Sequence, residues 1–181
     1  SMGFGKQIQI TVDEKTATVR DFGRGIPLNS VVKAVSKLNT GGKYDTKGYK
    51  KSVGLNGVGI KAVNALSSYF YVEAFRDGMS SFAEFKEGKL IDSGQRPSKE
   101  KNGTYVRFIP DENLFVGYTF RMEFIESMMK NYSYLKKGLT LNFNGTSYKS
   151  ENGLLDLIKD NMSETPLYQP IHIVGEDVEI V

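Results

Sequence analysis

The 181 residues contain no cysteine, so there is no disulfide framework and no cysteine-based metal site; a reducing compartment is the default expectation. No run of eighteen apolar residues exists and no signal-peptide pattern precedes the first strand, which predicts a soluble, cytosolic chain with no membrane contact. In that setting the four N-x-[ST] sequons, at Asn102, Asn131, Asn144 and Asn161, carry no weight. Histidine occurs once, as His172 between Ile171 and Ile173, where a structural residue on a strand is expected rather than a catalytic one. Internal repeats and low-complexity segments are also lacking. The opening Ser1-Met2 reads as a cloning remnant followed by a start residue.

What is present is enough for one ordinary core, with 39% hydrophobic residues and room for a small C-terminal extension. The net charge of +3 is unevenly spread. Residues 1–60 hold ten Lys/Arg against four Asp/Glu, and residues 151–181 hold one Lys against seven Asp/Glu. On charge alone, a basic front half suits an anionic ligand or an ordinary solvated surface equally.

The hydrophobic pattern predicts short elements joined by tight turns. Residues 7–12 (QIQITV) and 16–22 (TATVRDF) alternate as a strand pair around a turn at 13–15. Residues 29–38 place Val31, Val32, Val35 and Leu38 at helical spacing, with Asn29 or Ser30 as N-cap. A second helix is expected at about 59–67, then a strand over 68–75, a turn at Arg76-Asp77-Gly78 and another at Glu87-Gly88-Lys89. Residues 94–103 read as polar loop and 104–110 as a strand stopped by proline. The longest helix is predicted over 119–137, with Phe120, Phe124, Met128, Tyr132 and Leu135 as its core stripe. A hairpin turning at Asn144-Gly145, a short helix over 153–162 and a strand pair within 171–181 complete the chain. Hairpins with helices between them predict an α+β two-layer sandwich, a mixed and mostly antiparallel sheet with helices on one face.

Two glycine motifs carry the chemistry. Residues 41–59, GGKYDTKGYKKSVGLNGVG, hold six glycines and four lysines and run into the apolar helix IKAVNALS. Glycine-rich backbone opening a helix presents free N–H groups and the positive end of the helix dipole, which suits a polyphosphate. The closing pattern, Gly54-Leu55-Asn56-Gly57-Val58-Gly59, is neither the Rossmann order nor a Walker A, and alone it also fits a flexible loop without a ligand. Upstream, Asp21 precedes Gly23-Arg24-Gly25-Ile26-Pro27 at a strand end. A carboxylate there could accept a hydrogen bond from an exocyclic amine such as that of adenine, or could simply form the turn.

The ordered pair is more specific than either part. DFGRGIP at 21–27, LNTGGKYD at 38–45 and YKKSVGLNGVGIKAVNALS at 49–67 resemble the ATP-binding domain of type IIA topoisomerase B subunits. These are the gyrase and topoisomerase IV members of the GHKL ATPases, a superfamily that also holds heat-shock-90 chaperones, MutL proteins and histidine kinases. NGTYVRFIPD at 102–111 is similar to the family's Thr-Gly-Thr-like strand. The wording LNTGGKYD and KKSVGLNGVG leans towards topoisomerase IV.

The resemblance implies roles. Asp21 would hold the adenine amino group, sharing a network with Thr104 and a water. Arg24 and Pro27 would flank the adenine edge, where ATP-site inhibitors bind in this family, and Gly23, Gly25 and Ile26 would shape the pocket. Lys43 would reach the phosphates, Tyr49 would touch the adenine, and residues 54–59 would cradle the triphosphate within a lid spanning 41–57. ATP binding would then close a B-subunit homodimer and drive DNA strand passage together with the A-type subunit. Residues 1–165 would be the ATP-binding domain and 166–181 the start of the transducer domain. A nucleotide-binding module of another GHKL type, with a chaperone, mismatch-repair or kinase output, is the alternative.

Departures from the family accompany the likeness. The family's first motif is a helix bearing a Glu that activates water and an Asn that coordinates Mg²⁺. No Glu-x-x-x-Asp-Asn segment precedes Asp21 here, so this polypeptide by itself is expected to lack its first helix, the general base and the metal ligand, and to be hydrolysis-deficient. Val53 stands where a glycine is frequent, Asn56 where gyrase tends to carry His, and Phe82 near an inhibitor-contacting Arg of gyrase.

Overall fold

A computed structural model describes residues 5–38, 57–176 and 178–181. Ten strands and four α-helices follow one another along these residues: β1 (Gln7–Val12), β2 (Ala17–Asp21), α1 (Val31–Ser36), α2 (Gly59–Ala65), β3 (Ser67–Arg76), β4 (Met79–Lys86), β5 (Lys89–Pro97), β6 (Gly103–Pro110), α3 (Met122–Leu135), β7 (Thr140–Phe143), β8 (Thr146–Tyr148), α4 (Leu154–Asn161), β9 (Ile173–Val174) and β10 (Glu179–Ile180). Eight strands form one sheet in the order β5-β4-β3-β6-β2-β1-β7-β8, while β9 and β10 pair separately. All neighbours are antiparallel except β1 and β7. The predicted mixed, mostly antiparallel α+β sandwich is therefore the observed one.

Three hairpin turns follow from their dipeptides. Asp77-Gly78, Glu87-Gly88 and Asn144-Gly145 each place two successive residues at positive φ, the geometry whose twist matches that of paired strands. At the β1–β2 turn Asp13 accepts hydrogen bonds at Oδ1 from the amides of Lys15 and Thr16, at 2.9 and 2.6 Å. These two amides hold the Asp13 carboxyl below its usual pKa.

Alternation along the strands divides the sheet into two faces. On one, Phe70, Val72, Ala74, Ala83 and Phe85 are buried with Val31 and Val35 of α1, and Ile26, Ile60 and Val63 pack against them. Further along the same face Val12, Ala17 and Phe143 are buried under Met122, Ile125 and Met129 of α3. Phe108 packs on both clusters, so α1, α2 and α3 all cover the same side. Between the two helix groups, Ile8, Val19 and Asp21 stay half-buried.

Two expectations change. The predicted stripe of the long helix points outward: Phe124, Met128, Tyr132 and Leu135 are 62, 50, 51 and 67% exposed. Helix α3 turns Met122, Ile125 and Met129 to the sheet instead, and Phe120 packs there from the segment before the helix. The sequence offers two apolar stripes on this helix, and periodicity alone does not choose between them. Residues 94–97 continue β5 rather than beginning a loop. Gly94 accepts the ring of Phe82 against it, since a Cβ there would sit 2.9 Å from Phe82 Cε1, and Pro97 is tolerated because it ends an edge strand. Ser30 occupies the N-cap of α1 without a side-chain cap bond, after a 3-10 turn at Leu28–Ser30.

The helix-free face carries a polar and aromatic network. Tyr71 stacks on Phe82 with centroids 6.2 Å apart, and Arg96 lies 5.2 Å from the same Phe82 ring. Arg96 donates Nη2 to both Glu73 oxygens, at 2.9 and 3.1 Å, and the Tyr71 hydroxyl donates to Glu73 Oε2 at 2.8 Å. Burial pushes the Glu73 carboxyl up, but the neighbouring Ser80, Tyr71 and Arg96 side chains outweigh it and leave it below its ordinary value of 4.5. Because the folded value is depressed, this stabilisation is present above pH 4.5 and is lost as pH falls through the folded value. Arg96→Ala should therefore lower the urea midpoint at neutral pH. The gap to the parent chain should narrow as the pH falls below 4.5 through the folded value, where Glu73 takes up a proton and loses its charged partner's pull.

Candidate functional site

Asp21 ends β2 and the D-x-G-x-G turn begins there. One carboxylate oxygen accepts the Gly23 amide at 2.8 Å, which holds the turn as an Asx turn. Among the described residues the other oxygen, Oδ2, accepts no hydrogen bond. Gly25 at φ 72° is the position where glycine is required, because a Cβ would come within 2.6 Å of the Phe75 carbonyl oxygen and 2.9 Å of that of Gly103. The turn is thus laid directly on the ends of β3 and β6.

Thr104 follows Gly103 at the start of β6. It pairs with Ala74, which is buried among the helix-side residues. Arg20 pairs with Tyr105 and Tyr105 with Glu73, on the other face. Asp21 and Thr104, each one residue along, therefore share the helix-bearing face at the same end of the sheet. Ile26 packs on the α1 cluster beside them, while Arg24 and Pro27 are exposed on the rim of the turn.

Of the glycine-rich motif, Gly57, Val58 and Gly59 are described; Lys43, Tyr49, Gly54, Leu55 and Asn56 lie outside the described residues. Gly57 has φ 58°, and Gly59 opens α2 with open space where its Cβ would be. The Val58 carbonyl accepts from the amides of Lys61 and Ala62, at 3.0 and 2.9 Å, closing the first turn. Ile60 packs on the cluster that also holds Ile26, so both motifs rest on one core.

Sequence reasoning misses Lys61. It is 7% exposed, and its ammonium donates to the Gly57 carbonyl, next to the amides that open α2. A signal for it exists in the sequence: a lysine in an otherwise apolar first turn, straight after the glycines. His172, directly before β9, donates Nε2–H to the Glu179 carboxylate of β10 at 2.9 Å, in keeping with a structural residue.

These residues fit an adenine nucleotide: an open carboxylate oxygen at a strand end, backbone glycines that allow close approach, and a cation beside a helix start. Among the described residues no three His, Asp or Glu side chains converge. Among the same residues no helix is long and apolar enough to cross a membrane.

A mixed eight-stranded sheet with helices on one face and the Asp21 turn at its end is the architecture of a GHKL-type ATPase domain. No protein-family model matches the chain. Individual proteins do match it. It is 42% identical to the B subunit of DNA topoisomerase 4 from Borreliella burgdorferi over 98% of its own length and 30% of that protein's. It is 33% identical to the B subunit of DNA gyrase from Mycoplasma genitalium, over 99% and 31% of the two chains. Among solved structures it superposes on the 43K ATPase domain of Thermus thermophilus gyrase B in complex with an aminocoumarin, with a TM-score of 0.76 and 26% identity over 98% of this chain and 50% of that one. The topoisomerase IV ATP-binding domain of Francisella tularensis, in complex with a small-molecule inhibitor, gives 0.75 and 25% over 97% and 51%. The chain is a homologue, along its whole length, of the ATPase domains of type II topoisomerase B subunits. It spans about a third of the length of these relatives.

Proposed function

We propose that this chain is the ATP-binding module of a type II topoisomerase B subunit and that Asp21, with Thr104, recognises the adenine. The observation that carries the reading is the placement of these two side chains on one face, at one end of the sheet, with Gly25 wedged between the β3 and β6 ends beside them. Asp21 Oδ2 would accept the exocyclic amine while Oδ1 stays on the Gly23 amide. Ile26 would line the apolar side of the ring, with Arg24 and Pro27 at its edge, where ATP-site inhibitors would also bind. Gly57, Val58, Gly59 and Lys61 would meet the phosphates, joined by Gly54, Leu55, Asn56 and Lys43, while Tyr49 would touch the adenine. Mg²⁺ would accompany ATP in the whole protein, with ligands outside the described residues.

In the whole protein, ATP binding would bring two B subunits together and drive passage of one DNA segment through another, with the A-type subunit as partner. Residues 1–165 form the ATP-binding domain in this reading, and 166–181 begin the transducer domain. The separate β9–β10 pair, reached through exposed residues 161–169, supports that boundary. The LNTGGKYD and KKSVGLNGVG wording, with 42% identity to a topoisomerase IV relative, favours topoisomerase IV over gyrase.

Titration of fluorescent ADP against this chain and its Asp21→Asn variant tests the assignment. The variant should bind at least about tenfold more weakly, because a hydrogen bond to a charged partner contributes about 1.5–3 kcal/mol. Equal affinity for both proteins, or binding to neither, would sink it.

A further inference from the structure

The β2–β6 ladder ends one residue short of the site. Its last pair is Arg20 with Tyr105, and the next residues along are Asp21 and Thr104. Asp21 is held on its other side, where it pairs with Ile8 of β1. Towards β6 a side chain takes the place of the missing rung. Strand alternation sends Arg20 to the helix-free face, and its guanidinium folds back over the sheet end. There Nη1 donates to the Asp21 carbonyl and Nη2 to the Lys101 carbonyl. Its Cζ lies 4.7 Å from the Phe22 centroid and 4.5 Å from that of Phe75. A flat, two-pronged donor packed on two rings has little freedom, unlike a lysine ammonium on a flexible stem.

The same point is fixed from other directions. Gly103 lies against the Asp21 carbonyl so closely that a Cβ would overlap both that oxygen and Arg20 Nη1. Asn102 accepts the Asp77 amide at 2.9 Å and donates to the Asp77 carboxylate at 3.3 Å, which ties residues 101–103 to the β3–β4 turn. The Arg20 fork joins those residues to the carbonyl of Asp21 itself by hydrogen bonds.

We propose that Arg20 is a positioning residue for base recognition: acting from the opposite face of the sheet, its guanidinium replaces the absent ladder rung and sets the spacing between the Asp21 carboxylate and Thr104. The proposal rests on the reading that Asp21 and Thr104 hold the adenine. It assigns a specificity function to a side chain that touches neither base nor phosphate.

The test uses the 181-residue chain with Arg20→Met, which keeps an unbranched apolar stem, and Arg20→Lys, which can reach one carbonyl but not both. Dissociation constants are measured for ADP and for inorganic tripolyphosphate, and amide chemical shifts are followed for Gly103 and Thr104. Arg20→Met should weaken ADP by about tenfold, the worth of one charge-assisted hydrogen bond, and leave tripolyphosphate within about twofold. Arg20→Lys should fall between the two proteins, and the Gly103 and Thr104 amides should shift in both variants. An Arg20→Met protein that binds ADP as the parent does overturns the proposal. So does an equal loss for ADP and tripolyphosphate, which marks general loosening. Should Arg20→Met not fold, the ADP-to-tripolyphosphate ratio of Arg20→Lys decides by the same criterion. Failure of the underlying reading looks different: the parent chain then binds no ADP, or Asp21→Asn binds it unchanged.

Discussion

Gly103→Ala should cost on the order of 4 kcal/mol of folding stability and take nucleotide binding with it. Two effects add at this one position. Its φ of 143° lies where an L side chain is strained, and a Cβ would overlap the Asp21 carbonyl oxygen and Arg20 Nη1. Neither obstacle can yield cheaply: one is strand backbone, the other a guanidinium held by two carbonyls and packed on Phe22 and Phe75. Gly78→Ala is the matched control. Gly78 also has positive φ, at 83°, but nothing lies within 4 Å of its Cβ position, so only the conformational cost of roughly 1 kcal/mol remains. Urea denaturation of the two variants checks the difference, and a Gly103→Ala protein as stable as Gly78→Ala would contradict the packing described at the site. Against a total domain stability of about 5–15 kcal/mol, the larger loss is a substantial fraction of the whole.

The turns were the most legible part of the sequence. Asp77-Gly78 and Asn144-Gly145 need positive φ at both positions, and few other dipeptides supply it. The strands expected at 68–75 and 104–110 are likewise present, as β3 and β6. The α3 stripe was not legible, because Phe124-Met128-Tyr132 and Met122-Ile125-Met129 both recur at helical spacing. Periodicity finds an amphipathic helix but not which of two apolar stripes meets the sheet. The Gly94–Pro97 stretch misled for a related reason: breakers are allowed on an edge strand. At the site, Asp21 and the glycines were readable from their order in the chain. Arg20 was not, since its partners are backbone carbonyls at residues 21 and 101, and a carbonyl carries no side-chain signature. Lys61 stood in plain view, yet its burial depends on the carbonyl of Gly57, a contact of shape rather than of pattern.

Which face α3 turns inward can be tested by energy. Phe70 is fully buried, meets Phe85 edge to face at 6.0 Å, and lies in the cluster that α1 closes with Val31 and Val35. Phe70→Ala removes the ring from a place where α1 and the central strands cannot close together, so the loss combines transfer and cavity terms at about 3–5 kcal/mol. The same substitution at Phe124, 62% exposed, removes little buried area and should stay within about 0.5 kcal/mol. Urea midpoints of the two variants give the comparison directly. Comparable losses would mean that Phe124 is covered and that the inward face of α3 is the other one. The Phe70 result also bears on the site, because Ile26 and Ile60 rest on the cluster that Phe70 fills. Loosening that cluster should weaken ADP binding without touching any residue that contacts it, whereas Phe124→Ala should leave affinity unchanged.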